Sequence, residues 1–361
     1  MHLRRLWLRD FRSHHEVDLE LTEHLCAVLG PNGVGKSNLL EAVGYLALLE
    51  SFRGAPTEAM VRAGAEVAIV RGEVVHGGRE QLIEAELRRT GPNRVLLNRQ
   101  RLHRSRDLLG ALRVVVFAPD DLALVKGGPA LRRQYLDQVL VSVEPRNDVV
   151  RAEFERAVRQ RNALLKQTRG RLDEAAAITL EVWNSKVVES GERLAALRVE
   201  MLELLAPLVA GAYAEVAGRE VPVELDYEAP WRDQGLAAAL AAARDDELRR
   251  GLTLVGPHRD DVVVRLDGLA ARTHASQGEQ RSLALALRLA AHRVVTERTG
   301  AAPLLLLDDV FSELDDQRAA ALVECLPTAQ TLLTSASGLP PGVHAEQVLH
   351  VGPDGVVAAT G

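Results

Sequence analysis

Residues 25 to 50 read LCAVLGPNGVGKSNLLEAVGYLALLE. The opening run is short and apolar, as in a buried strand, and the stretch from Asn38 onward has the Leu, Ala and Glu content of a helix. Between them Gly30-Pro31-Asn32-Gly33-Val34-Gly35-Lys36-Ser37 fits G-x-x-x-x-G-K-[ST], in the strand-to-helix setting that this motif requires. Glycines let backbone N–H groups curl around phosphate oxygens, where the helix dipole also favours an anion. Lys36 is expected to neutralise the β- and γ-phosphates and Ser37 to hold Mg²⁺, with Asn38 opening the helix beside them. A glycine-rich turn carrying a chance Lys-Ser is the bland alternative, and the flanking strand and helix argue against it.

Working outward, APLLLLDD (302–309) is a continuous apolar run ending in carboxylates. Asp308 is expected at the tip of a central parallel strand beside the loop, reaching Mg²⁺ through water, and Asp309 is expected to orient or deprotonate the attacking water. An acidic pair after a strand is more often a helix N-cap; the phosphate loop tips the reading to nucleotide hydrolysis. In THASQGEQRSLALALRLA (273–290), Ser276 and Glu279 have the spacing of a capping box, and Leu283, Leu287, Ala290 and Val294 form a helical stripe.

The chain has 361 residues, enough for two domains or one elaborated one, and 47% of them are apolar. Its formal charge of −6 excludes a uniformly basic nucleic-acid coat but not a local basic face. Cys26 and Cys325 lie far apart, which argues against a disulfide framework or zinc site and fits a reducing compartment. There is no signal-peptide h-region and no apolar run long enough to span a bilayer, so a soluble, cytoplasmic protein is expected.

Strands are expected around DFRSHHE (10–16), over 66–100 with turns at 76–78 and 90–93, and at VVVFA (114–118). From Pro129 to about Leu208 the texture is helical. Phe154, Val158, Arg161 and Leu165 share one helical face. Leu180, Trp183, Val187, Ser190, Leu194, Leu197, Met201 and Leu204 form a heptad seam with one polar break. This predicts an antiparallel hairpin with arms of about 35–45 Å. YEAPWRDQG (227–235) reads as a linker, and LTLVG (252–256) and VVVRL (262–266) as strands.

A phosphate loop, a Ser-x-Gly-[Glu/Gln] element opening a helix, and a strand ending in Asp-Asp follow the ABC ATPase order. The second element resembles the ABC signature L-S-G-G-Q: Ser276 and Gly278 match, while Ala275, Gln277 and Glu279 depart. SELD (312–315), with Ser312 and Asp315, fills the D-loop position. DFRSHHEVDLEL, GPNGVGKSNLLEA, FAPDDLALVKGGPALRRQYLD, LVGPHRDD and LLLLDDVFSELDDQR complete a pattern that resembles the RecF recombinational repair family, relatives of SMC-type heads. The resemblance implies an α/β ABC/SMC-like P-loop ATPase head formed by residues 1–128 and 251–361. A mostly helical domain, 129–250, is inserted and carries the short hairpin. It further implies an ATP-dependent homodimer in which Ser276, Gln277, Gly278 and Glu279 meet the nucleotide of a second protomer. The expected cofactors are ATP and Mg²⁺; the expected partners are gapped or junction double-stranded DNA and RecR with RecO, and no membrane.

Departures from the ABC pattern imply weak turnover. Asp309 stands where a Glu is usual, Ser335 where many have His, and Asp120 or Asp121 occupies the Q-loop position. Arg12 and His258 are candidates for nucleotide-proximal roles, a buried, hydrogen-bonded residue being the other reading of His258. Arg88, Arg89, Arg94, Arg99, Arg101, Arg104, Arg106 and Arg113 are opposed within 88–113 only by Asp107, and are expected to meet DNA phosphates. Arg151, Arg156, Arg159, Arg161, Lys166, Arg169 and Arg171 form a second cluster, with intrahelical pairing as the competing reading. An ABC transporter subunit and a non-hydrolysing ATP-dependent scaffold are the alternatives.

Overall fold

The strand Leu25–Leu29 lies inside a six-stranded sheet ordered Gly355–Ala359, Gln347–Gly352, Leu25–Leu29, Thr331–Ser335, Leu304–Asp308, Val114–Phe117. Every pairing is parallel except that between Gln347–Gly352 and Gly355–Ala359. Parallel strands are covered on both faces, which is why LLLLD and TLLTS are buried along their whole length instead of alternating between buried and exposed residues. All five residues of each are buried. The computed structural model describes residues 1–168, 170–352 and 355–359.

A second sheet is antiparallel, ordered His14–Glu20, His2–Phe11, Val67–His76, Arg79–Arg88, Arg94–Leu97, Gln100–Arg101. Its inward residues Leu6, Leu8, Val70, Ile83 and Leu87 share one core with Leu40, Val43 and Leu46 of helix Lys36–Leu48 and with Leu304, Leu306 and Leu332. The helix that follows the phosphate loop is thereby held by the hydrophobic effect between two sheets, which fixes where its N-terminus points.

The chain divides into two compact units: Met1–Leu122, Gly211–Glu220 and the chain from Arg281 onward form one, and Ala123–Ala210 with Val221–Gln280 the other. This differs from the divide drawn at 129 and 251. Residues 251–280 pack with the helical unit, and the boundary at 280 falls inside the single helix Gln277–Thr299. No change in composition marks a boundary placed within one helix.

The helical unit contains Pro129–Val143, Asn147–Thr168, most of Glu174–Ala217, Leu236–Arg250, and a three-stranded sheet ordered Leu269–Ala270, Asp261–Leu266, Val223–Glu228. The hairpin arms are unequal. The first has 22 residues and the second 44, about 33 and 66 Å, so the second outruns the expected length and continues through Pro207. Leu180, Val187, Leu194 and Met201 of the heptad seam are buried, whereas Leu204 is exposed and Leu202, Leu205 and Val209 take over inside. The inward face rotates where the heptad register ends.

The structure departs from two local expectations. Residues 252–256 are not a strand, because Thr253 N–H donates to Asn162 Oδ1 at 2.7 Å and Leu254 N–H to Glu247 Oε1 at 2.8 Å. Side chains take the backbone donors that a ladder needs. The presumed linker at 227–235 includes the end of strand Val223–Glu228 and the buried Trp231, whose Nε1 donates to Asp260 Oδ1 at 2.7 Å. Among the described residues no helix is long and apolar enough to cross a membrane.

Candidate functional site

The loop between Leu29 and Lys36 is shaped by glycine where no other residue fits. Gly30 has φ +154°, and an added Cβ would lie 2.2 Å from the Val351 carbonyl oxygen. Gly35, at φ +109°, caps helix Lys36–Leu48 and leaves no room for a Cβ, which would meet Ser13 Oγ at 2.4 Å. Pro31, Asn32 and Gly33 form the exposed crown, and Val34 and Gly35 are half-buried. Lys36 is buried, and its ammonium donates to the carbonyls of Gly30 at 2.8 Å and Pro31 at 2.9 Å. A cation is held across a loop whose helix end favours anions.

Ser37 Oγ donates to Asp308 Oδ1 at 2.6 Å, although 271 positions separate them. Sheet order explains the meeting, with one strand intervening. Thr331–Ser335 lies between the loop strand and Leu304–Asp308 and contributes Thr334, which the sequence reading missed. Thr334 Oγ1 donates to Asp308 Oδ1 at 2.9 Å and accepts the Asp309 N–H at 2.9 Å. A hydroxyl at the end of TLLT, next to the apolar Asp-tipped strand, was the available signal. Ser37 Oγ and the Asp308 carboxylate are hard oxygen donors on one spot, a set that suits Mg²⁺ shared with a phosphate. Asp309 is half-buried and has φ +49°, a left-handed conformation that Asp tolerates better than most residues.

Arg12 lies against the same helix. Its guanidinium grips Glu41 in a two-pronged pair, Nη2–Oε1 2.6 Å and Nε–Oε2 2.7 Å, and Glu41 is fully buried. Ser51 Oγ also donates to Glu41, at 2.5 Å. Asn38 Nδ2 donates to Ser13 Oγ at 2.9 Å. Asp121, one of the two Q-loop candidates, is engaged by Arg288 through 2.6 and 3.0 Å bonds and caps the Ala118 N–H, whereas Asp120 is exposed. Ser335 Oγ accepts the Ser337 N–H at 3.3 Å.

At the Ser-x-Gly-Glu element the capping box forms in both directions: Ser276 N–H donates to Glu279 Oε2 at 2.7 Å, and Glu279 N–H to Ser276 Oγ at 3.3 Å. Ser276 and Gln277 are exposed, Gly278 and Glu279 half-buried. Further on, Ser312 Oγ donates to the Asp309 carbonyl at 2.7 Å, and Asp315 caps helix Asp316–Cys325 by accepting the Arg318 N–H at 2.9 Å. His258 lies in the helical unit, its Nε2 3.1 Å from the Thr253 carbonyl, and burial lowers its pKa to about 4. It is half-buried and hydrogen-bonded within that unit.

The basic clusters sort by partner. Arg88 pairs with Glu86 at 2.5 Å and Arg94 with Glu86 at 3.8 Å, because Glu86 faces Arg94 across the ladder, just outside the stretch read as lacking acid. Arg89 donates to the carbonyls of Ala65 and Arg62. Arg99, Arg101, Arg104 and Arg106 are exposed, and among the described residues no carboxylate meets the first three. In the second cluster Arg151 pairs with Asp148 and Glu155, and Arg159 with Glu155. Arg161 is a correction: only 1% exposed, it donates to Glu247, Thr253 and Asn184 inside the helical unit and presents nothing to DNA. Arg169 lies outside the described residues.

Sheet order, loop and Asp-tipped strand, with a helical unit carried on the same chain, define the class of RecF- and SMC-type heads. The RecF/RecN/SMC N-terminal domain family model matches residues 2–336. The DNA replication and repair protein RecF of Acidothermus cellulolyticus is 44% identical over 368 residues, 96% of this chain and 99% of the relative. Its counterpart from Frankia alni is 45% identical over 355 residues, 93% of each. The solved structure of the recombination mediator protein RecF-ATP in the RecFOR pathway has a TM-score of 0.92 at 29% identity, covering 99% of this chain and 97% of that one. The chain belongs to the RecF family.

Proposed function

We propose that this chain is a DNA-binding repair ATPase that dimerises on ATP, recognises gapped or junction DNA, and works with RecR and RecO to load the recombinase in the cytoplasm, at the nucleoid. The observation that carries this reading is the closure of Ser37 on Asp308 at 2.6 Å beneath a loop whose Lys36 is already aimed across it. Gly30–Asn38 bind the phosphates, Ser37 and Asp308 hold Mg²⁺, and Asp309 positions the water. Arg12 braces the loop helix from the nucleotide side through Glu41. When bound, the metal neutralises phosphate charge and orients the γ-phosphate.

Ser276, Gln277, Gly278 and Glu279 complete a partner's site, and Ser312 and Asp315 fill the D-loop position. Capping and phosphate contact are compatible, since both use a helix N-terminus. Hydrolysis is weak because Asp309 is one methylene shorter than Glu and Ser335 cannot do the work of an imidazole. ATP then serves as a dimerisation switch. The exposed arginines of the hairpin Arg94–Arg101 and the turn after it meet duplex phosphates, and the neighbouring paired arginines shape that face.

Light scattering with ATP, ADP or neither, each with and without gapped duplex DNA, tests the proposal. Dimers are expected with ATP alone; oligomers that ignore nucleotide overturn it. Phosphate release, with Lys36→Met as control, should be slow and DNA-stimulated. A basal turnover above tens per second, high in the enzyme range, removes the switch reading.

A further inference from the structure

Three successive residues, Arg12 and Ser13 of the turn after strand His2–Phe11 and His14 at the start of strand His14–Glu20, engage the phosphate-loop helix, each one helical turn from the next. Arg12 holds Glu41, Ser13 accepts from Asn38, and His14 Nε2 lies 3.0 Å from the Gly35 carbonyl oxygen. Positions 35, 38 and 41 share one face of the helix. Arg12 and Ser13 therefore grip its body, while His14 grips the peptide at which the loop becomes helix. His14 is 5% exposed, and burial keeps its pKa below the ordinary 6.5. A carbonyl only accepts, so Nε2 carries the proton of the neutral ring.

Geometry gives this contact a consequence. The Gly35 carbonyl also accepts the Asn38 N–H at 3.0 Å, so both of its acceptor directions are in use and the Gly35–Lys36 peptide is fixed. In a trans peptide the C=O and N–H point to opposite sides. Holding the Gly35 oxygen toward His14 therefore aims the Lys36 N–H away from it, among the amides of the loop. The close approach of the ring requires glycine at this position, because a Cβ there would stand 3.0 Å from His14 Nε2.

We propose that His14 is a positioning residue of the nucleotide site, acting through the Gly35–Lys36 peptide to pre-orient the phosphate-binding amides. This rests on reading Gly30–Ser37 as a phosphate loop. Loop amides cradle the α- and β-phosphates, which ATP and ADP share. Loss of the contact therefore weakens both nucleotides alike, whereas loss of a γ-phosphate sensor spares ADP.

The test is equilibrium binding of ATP and of ADP by the full chain, with melting temperature measured in the absence of nucleotide, for wild type, His14→Phe, His14→Gln and Lys36→Met. His14→Phe, which keeps a planar aromatic ring and removes the donor, should weaken both nucleotides by about tenfold, with the melting temperature held within a few degrees. His14→Gln returns an N–H donor and should recover affinity to within about threefold of wild type. Wild-type affinity in His14→Phe, a loss confined to ATP, a His14→Gln as weak as His14→Phe, or a loss explained by unfolding at the assay temperature each overturns the proposal. A wild-type chain that binds neither nucleotide, or a Lys36→Met chain that binds both as wild type does, overturns the phosphate-loop reading itself and the role of His14 with it.

Discussion

Arg99 follows Asn98 in the two-residue turn between Arg94–Leu97 and Gln100–Arg101, and both residues are left-handed, with φ +52° at Asn98 and +66° at Arg99. Such turns favour Asn followed by Gly. Asn98 fits twice over, since its Oδ1 also accepts the Leu82 N–H at 2.9 Å. Arg99 does not: a residue with a Cβ costs roughly 1–2 kcal/mol in this conformation, and strain of this kind points to a use for the side chain. Arg99→Gly should therefore raise stability by about 1 kcal/mol while weakening duplex binding and flattening its salt dependence. Paired melting and DNA titrations at two salt concentrations check this. A higher melting temperature with unchanged DNA affinity would take the turn out of the proposed interface.

Helix Gln277–Thr299 shows at the next scale what could be read in advance. Its capping box was legible because both partners sit within three residues, and the phosphate loop because its sequence and its immediate flanks are one local unit. Thr334 was not legible as a site residue, since only the order of strands in the sheet carries it to Asp308. Arg161 looked like a surface cation until Glu247, distant in sequence, supplied its buried partner. Long-range meetings were legible only where a motif marks both partners, as with Ser37 and Asp308; Thr334 and Arg161 carry no such mark. For the helix start the consequence is specific. Ser276→Arg removes a cap worth about 1 kcal/mol and puts a cation where the dipole prefers an anion, but it leaves Lys36 and Asp308 untouched. Monomer ATP binding should persist while ATP-dependent dimers and phosphate release disappear. Loss of binding in the monomer would reduce the segment to a structural role.

For the molecule as a whole, buried imidazoles tie stability to pH. His292 is 4% exposed, its Nε2 lies 3.2 Å from the Pro303 carbonyl, and burial lowers its pKa from 6.5 to about 4. As pH falls through 6.5 the unfolded chain takes up a proton that the folded chain refuses until about 4. Stability is therefore full above the upper value and declines across the interval, by up to about 1.4 kcal/mol per pH unit. His292→Gln should lose fewer degrees of melting temperature between about pH 7 and pH 5 than wild type; parallel slopes would remove His292 as the cause. The sheet that holds the loop also sets a timetable. Leu25 pairs with Thr331 and Ala27 with Val348, and Gly30 is closed from above by Val351. A ribosome thus finishes the entire phosphate-loop motif roughly fifteen seconds to a minute before the strands on either side of it exist. A stop codon anywhere in that interval releases a chain that carries every loop residue but lacks both strands that flank the loop strand in the sheet.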